Sequence, residues 1–168
     1  MSAPEFSRPF DVRQCDGKQA RIEANEAERA ALAERFSLVG VERLEAEALL
    51  TREGRDVLVE GTMRAKWTQA CAVSAEDMAV DADEPIAFRF VPARTDFDPD
   101  EELEIDSDDC DEIAYEGTHI DLGEAVAQSL GLAIDPYATG PAADEARARL
   151  GEDEASPFAA LKGLMGDE

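Results

Sequence analysis

Alternation dominates the middle of the chain. Val57, Val59, Met63, Ala65 and Trp67 hold odd positions, while Glu60, Thr62, Arg64, Lys66 and Thr68 hold even ones. That period of two predicts a half-buried strand over Val57–Trp67. Leu58 breaks the pattern, and Gly61 is expected to mark a bulge. Upstream, Glu53-Gly54-Arg55-Asp56 reads as a hairpin turn. In its other arm, Leu44, Ala46, Ala48 and Leu50 alternate with Glu45 and Glu47. These residues are also good helix formers, which leaves a helix over Val41–Leu50 as the alternative. After a turn at Ser74-Ala75-Glu76-Asp77, Met78–Val91 places Val80, Ile86, Phe88 and Phe90 on one face. Pro85 in this run points to an edge or a bulge. Three long antiparallel strands with short turns make a meander, one face of which must be covered.

Helical signals flank the meander. Pro9-Phe10-Asp11-Val12 and Gln19–Ala24 read as short strands joined at Asp16-Gly17. Asn25 then predicts an N-cap, with Glu28 placed for a capping box and a helix through Phe36. Farther on, Glu112–Gly117 reads as a short strand and turn. Asp121 starts a second helix, with Glu124 placed for another capping box and Leu122, Val126 and Leu130 in a stripe. Asp135-Pro136-Tyr137 ends it, because the residue before proline avoids the helical region. Residues 138–156, rich in Ala, Glu, Gly and Pro, read as a linker. Ser156-Pro157 then opens a short amphipathic turn with Phe158, Leu161 and Met165 on one face, suited to docking back on the domain or in a partner's groove.

Composition adds a constraint. Leu, Ile, Val and Phe make up only 35 of 168 residues against a net charge of −24, so a single modest core is expected beside unstructured chain. The charge is concentrated. Residues 1–94 carry 18 acids and 13 bases, whereas residues 95–146 carry 17 acids and no base. Asp96 to Glu112 alone holds 11 acids in 17 residues, and 95–112 reads as an extended acidic loop. No apolar run approaches the ~20 residues that span a bilayer, and the N-terminus lacks a secretory pattern. The expected location is therefore the cytoplasm.

Chemistry is sparse. Cys15, Cys71 and Cys110 are odd in number and widely spaced, which argues for reduced thiols rather than disulfides. With His119 they are too scattered for a zinc site. His119 reads as a polar residue at a helix entry rather than a general base. Asp96, Asp98 and Asp100 match the first ligands of a calcium loop, but Glu101 stands where glycine is required and Ser107 where glutamate is. The one local basic surface is the strand face bearing Arg64 and Lys66, with Arg89 and Arg94 one strand over, a candidate for RNA contact. Asp106, Asp108, Asp109, Asp111 and Glu112 are the matching candidates for a cationic partner.

Three segments together resemble the bacterial YceD family, also called domain of unknown function 177. The first runs from Val59-Glu60-Gly61 through Trp67-Thr68-Gln69-Ala70-Cys71-Ala72-Val73-Ser74. The second runs from Asp111-Glu112-Ile113 through His119-Ile120-Asp121-Leu122-Gly123-Glu124 to Asp135-Pro136-Tyr137. The third is Ser156-Pro157-Phe158-Ala159-Ala160-Leu161-Lys162. Many members carry a second cysteine three residues after the first; here that position is Ser74, so no role of such a pair carries over. The resemblance implies a role in large-subunit assembly through accumulation of 23S ribosomal RNA, with no enzymatic activity and no cofactor. Gly61, Trp67, Gln69, Cys71, Asp121, Leu122, Gly123, Glu124, Asp135, Pro136 and Tyr137 are its candidate motif residues, although caps and turns alone would explain several of them.

Two mechanisms fit both the resemblance and the charge. The chain could escort basic large-subunit ribosomal proteins with its acidic segment, or contact precursor ribosomal RNA through the basic face. A small hydrolase or transferase is the reading from another class. No membrane and no small-molecule substrate are expected. The expected architecture is α+β: an antiparallel sheet or half-open barrel of about five strands with two packing helices. Residues 1–137 would form one domain, and residues 138–168 a linker and short C-terminal segment.

Overall fold

The structure, a computed structural model, describes residues 4–93 and 111–153. The chain begins with β1 (Pro9–Asp11), a single 3-10 turn (Val12–Gln14), β2 (Lys18–Glu23) and α1 (Glu26–Arg35). The meander follows as β3 (Gly40–Glu53), β4 (Asp56–Ala70) and β5 (Asp77–Pro92). Then come β6 (Asp111–Tyr115), β7 (His119–Asp121), α2 (Leu122–Ala133) and α3 (Ala143–Asp153).

The five-stranded sheet runs β2-β3-β4-β5-β6, and β1 pairs with β7 in a two-stranded ribbon. Residues Val41–Leu50 are strand, not helix. Their alternation buries Leu44, Ala46, Ala48 and Leu50 on one face, and that burial outweighs helix propensity. Gly54 takes the left-handed conformation (φ 64°) that the tight β3–β4 turn needs. The register runs unbroken past Gly61, which pairs with Ala48; the irregularity lies instead between Val41 and Arg43. Gly61 serves close packing, since a Cβ there would press on the Glu47 carbonyl and on Ala48.

The fold is α+β as expected, but the sheet is mixed and does not close into a barrel. β2 through β5 are antiparallel, whereas β6 lies parallel to β5 with Phe88 opposite Asp111. Strand direction here follows the connection. A parallel neighbour needs a crossover of about a dozen residues or more, and residues 93–110 supply one.

One sheet face carries the core. Val57, Val59, Met63, Ala65 and Trp67 of β4 and Ile86, Phe88 and Phe90 of β5 are buried. Leu32 of α1 and Leu122, Val126 and Leu130 of α2 cover them, with Phe6 and Ile120. α1 starts in the expected capping box between Asn25 and Glu28. The second box forms only in half. Asp121 accepts from the Glu124 N–H at 3.1 Å, but the Glu124 carboxylate turns to Arg35. Within the stretch expected as a linker, 138–156, Ala143–Asp153 is helical. Asp144–Arg147 and Glu145–Arg149 pairs lace its surface, and Ala143 is buried.

Candidate functional site

The first two motif segments meet at one end of the sheet. Trp67 and Gln69 are two apart on β4, so both point into the core. The Trp67 indole N–H donates to Gln69 Oε1 at 2.7 Å, and Gln69 Nε2 donates to the Asp135 carbonyl at 2.8 Å. Asp135 Oδ1 in turn accepts from the Tyr137 N–H at 2.8 Å, which fixes the turn after α2. Gln69 is the one polar residue among the buried described residues. Its role is to tie the β4 end to the α2 exit.

Cys71 adds a second tie. Its Sγ accepts from the N–H groups of Ser74 at 3.4 Å and Gly140 at 3.3 Å. The Ala72 N–H donates to the Ala138 carbonyl at 3.0 Å. Ser74, through its hydroxyl first and then its N–H, with the Gly140 and Val73 N–H groups behind it, lowers the Cys71 pKa to about 6. These donors stabilise the thiolate. Cys15, by contrast, is pushed up by burial.

The Asp121–Glu124 motif grips the N-terminal segment. Asp121 accepts from the Ser7 hydroxyl at 2.5 Å and the Arg8 N–H at 2.8 Å, besides capping α2. Gly123 lets that segment approach, since a Cβ there would lie 2.5 Å from the Phe6 carbonyl oxygen and 2.8 Å from the Arg8 nitrogen. Leu122 is fully buried. Glu124 shares Arg35 with Glu5, at 2.9 Å in each pair. Arg8 forks onto both Glu28 oxygens at 2.7 and 2.9 Å and holds that carboxyl below the usual carboxylate range. Sequence reasoning missed Arg8 and Arg35. Their partners lie 20 to 113 positions away, where no local pattern marks them.

The outward sheet face is a mosaic of paired charge. Arg64 lies 3.5 Å from Asp83 and 3.9 Å from Glu45. Arg89 lies 3.3 Å from Glu53 and 3.7 Å from Asp56, and Arg43 lies 2.9 Å from Asp81. Lys66 is exposed, between Arg43 and Asp81 in the register. Such exposed pairs stabilise by only ~0.2–1 kcal/mol each. Their larger effect is on the field, because each arginine reaches solvent beside a carboxylate. Glu112 lies on this face opposite Arg89.

Among these candidate residues one side chain stands apart, that of Tyr137. Gly61, Trp67, Gln69, Cys71, Asp121, Leu122, Gly123, Glu124 and Asp135 all have places in the packing or bonding above. Pro136 stiffens the exposed turn. Tyr137 contributes its backbone to the turn, yet its ring is 82% exposed. Arg94, Asp106, Asp108, Asp109, Phe158, Leu161 and Met165 lie outside the described residues, as does most of the 95–112 loop; of Asp111 only the backbone is described. Among the described residues no three His, Cys, Asp or Glu side chains cluster as a metal site would need, and no helix is long and apolar enough to cross a membrane.

A family model described as large ribosomal RNA subunit accumulation protein YceD matches residues 59–165, well over half of the chain. That range holds the Trp67–Cys71 and Asp121–Tyr137 segments and the crossover between them. No curated protein and no solved structure matches.

Proposed function

The chain belongs to the YceD family, and from that premise we propose that it is a non-enzymatic, cytoplasmic factor in large-subunit assembly that escorts basic ribosomal proteins. The family's description supplies the process, accumulation of the large-subunit ribosomal RNA. Charge supplies the mechanism, and one observation carries it: residues 95–146 hold 17 acids and no base. Ribosomal proteins rich in Lys and Arg would gather at such a segment, stay in solution there, and leave as RNA phosphates compete for the same cations. The attraction reaches about 10 Å at 0.1 M salt and shortens as salt rises.

The paired outward face also favours this reading over direct RNA contact. A phosphate backbone approaching Arg64 or Arg89 would meet Asp83, Glu45, Glu53 and Asp56 within the same ion pairs.

The test is a binding comparison with purified large-subunit proteins and 23S ribosomal RNA fragments. The expected result is capture of the basic proteins, weakening about tenfold or more as salt rises several-fold. Tight binding to the RNA fragments, with indifference to the basic proteins, would refute the escort mechanism and favour contact through Arg64, Lys66, Arg89 and Arg94.

A further inference from the structure

β6 covers only Phe88–Pro92 of β5. Among the described residues, Asp77–Ala87 has no strand on its outer side. A cavity of about 350 Å³ lies along that free edge, walled by Ser129, Leu132 and Ala133 of α2 and by Met63. Every residue from Glu84 to Phe88 lines it. A groove against a strand's face touches alternate residues; one that touches five in succession runs along the edge, where backbone N–H and C=O groups are offered. A second cavity of about 210 Å³ adjoins it, sharing Phe88, Ser129 and Leu132.

The chemistry of the walls selects the occupant. Among the described residues, the charged ones lining the two cavities are Glu84 and Glu112, and no Lys or Arg lines either one. Leu132 stands on the rim, 81% exposed. An extended segment with apolar side chains toward Leu132 and cationic ones near Glu84 fits both surfaces. Pro85 has no N–H to give, so donors there come from its neighbours.

We infer that the groove between the β5 edge and α2 binds an extended, Lys/Arg-bearing polypeptide segment as an added strand. From Glu84 to Phe88 it holds about five residues, ~16 Å of strand. The inference rests on the escort reading and names a docking surface for it.

The test uses the full chain in an NMR titration with an amidated hexapeptide of alternating lysine and valine. Two companion peptides carry backbone N-methyl groups on all the valines or on all the lysines. The expected result is shifts at Glu84–Phe88 and Ser129–Ala133, with one companion binding about tenfold more weakly or worse, because one peptide edge makes the bonds. Leu132→Lys and Glu84→Lys, both at exposed positions, should each weaken binding by a similar factor while leaving the rest of the spectrum in place. Equal binding by both companions, or shifts confined to residues outside the groove, overturns the inference. A basic ribosomal protein, titrated in parallel, separates the two readings. If it binds the groove variants as tightly as the unaltered chain, the added strand is wrong and the escort reading stands. If it does not bind the unaltered chain at all, both fail.

Discussion

Replacing Gln69 with leucine tests whether the motif holds the fold together. Leucine is similar in volume and suited to a buried position, so packing changes little. What changes is bonding. The Trp67 indole N–H loses its acceptor at 2.7 Å in a residue that is 1% exposed. A buried donor left without a partner costs ~1–3 kcal/mol. The Asp135 carbonyl loses its donor as well, but it belongs to an exposed residue that water can reach, so about 0.5–1 kcal/mol is lost there. Together Gln69→Leu should destabilise the fold by about 1.5–4 kcal/mol, lowering the melting temperature by roughly 4–15 °C for a domain of this size. Trp67 is the chain's single tryptophan, so urea unfolding followed by its fluorescence reads the bonded indole directly, with circular dichroism as the second probe. In a Trp67→Phe background the donor is already gone, and the same substitution should cost about 1–3 kcal/mol less. A cost below about 0.5 kcal/mol, or one equal in both backgrounds, would show that the Trp67–Gln69–Asp135 chain is geometry without energetic weight.

Gly123→Ala gains about 1 kcal/mol of helix propensity, but its Cβ would lie 2.5 Å from the Phe6 carbonyl oxygen. We expect a net loss of about 1–3 kcal/mol and faster amide exchange at Arg8 and Leu122, which bond across this contact; unchanged exchange would sink the account. The Cys71 thiolate should titrate near pH 6 by its ultraviolet absorbance, and Ser74→Ala should move the midpoint toward the usual 9.0. Because the folded value is depressed, the thiolate's contribution to stability is complete above about pH 9 and is lost as pH falls to about 6. The stability gap between the native chain and Cys71→Ser should therefore shrink on acidification across that window. A gap that stays constant would remove the thiolate from the argument.

Much of the fold is written in local pattern. The alternation in β4 is legible because one face is buried, so polarity must switch at every residue. The α1 cap is legible because Asn25 and Glu28 serve each other within one turn. What escaped is set by distant partners. Glu124 has the spacing of a capping box, but Arg35, 89 positions away, takes its carboxylate. Arg64 lies on the outward face that alternation predicts, yet its ion pairs with Asp83 and Glu45 follow from strand register, which periodicity does not specify. The direction of β6 belongs to the crossover before it. α3 was obscured by Gly140-Pro141 ahead of it and Gly151 within it, although Ala, Glu and Arg are among the best helix formers.

These placements separate two kinds of signal in the chain. The residues in which the sequence resembles the family are, among those described, almost all ones that brace the fold: a buried amide bridge, a clamp on the N-terminal segment, and two glycines where backbones nearly touch. Such residues fix where surfaces lie. On the escort reading, recognition falls to what bracing leaves free. On the sheet face and around the N-terminal segment, nine carboxylates pair with arginines, and matched charge has a short-ranged field. The base-free span 95–146 has no Lys or Arg of its own to match its 17 acids, and both α2, which walls the groove, and the exposed Tyr137 fall within it. On the escort reading, a cationic partner drawn by that field would arrive beside Glu84, where the β5 edge left open among the described residues offers the backbone bonds and Leu132 the apolar contact that charge alone cannot supply.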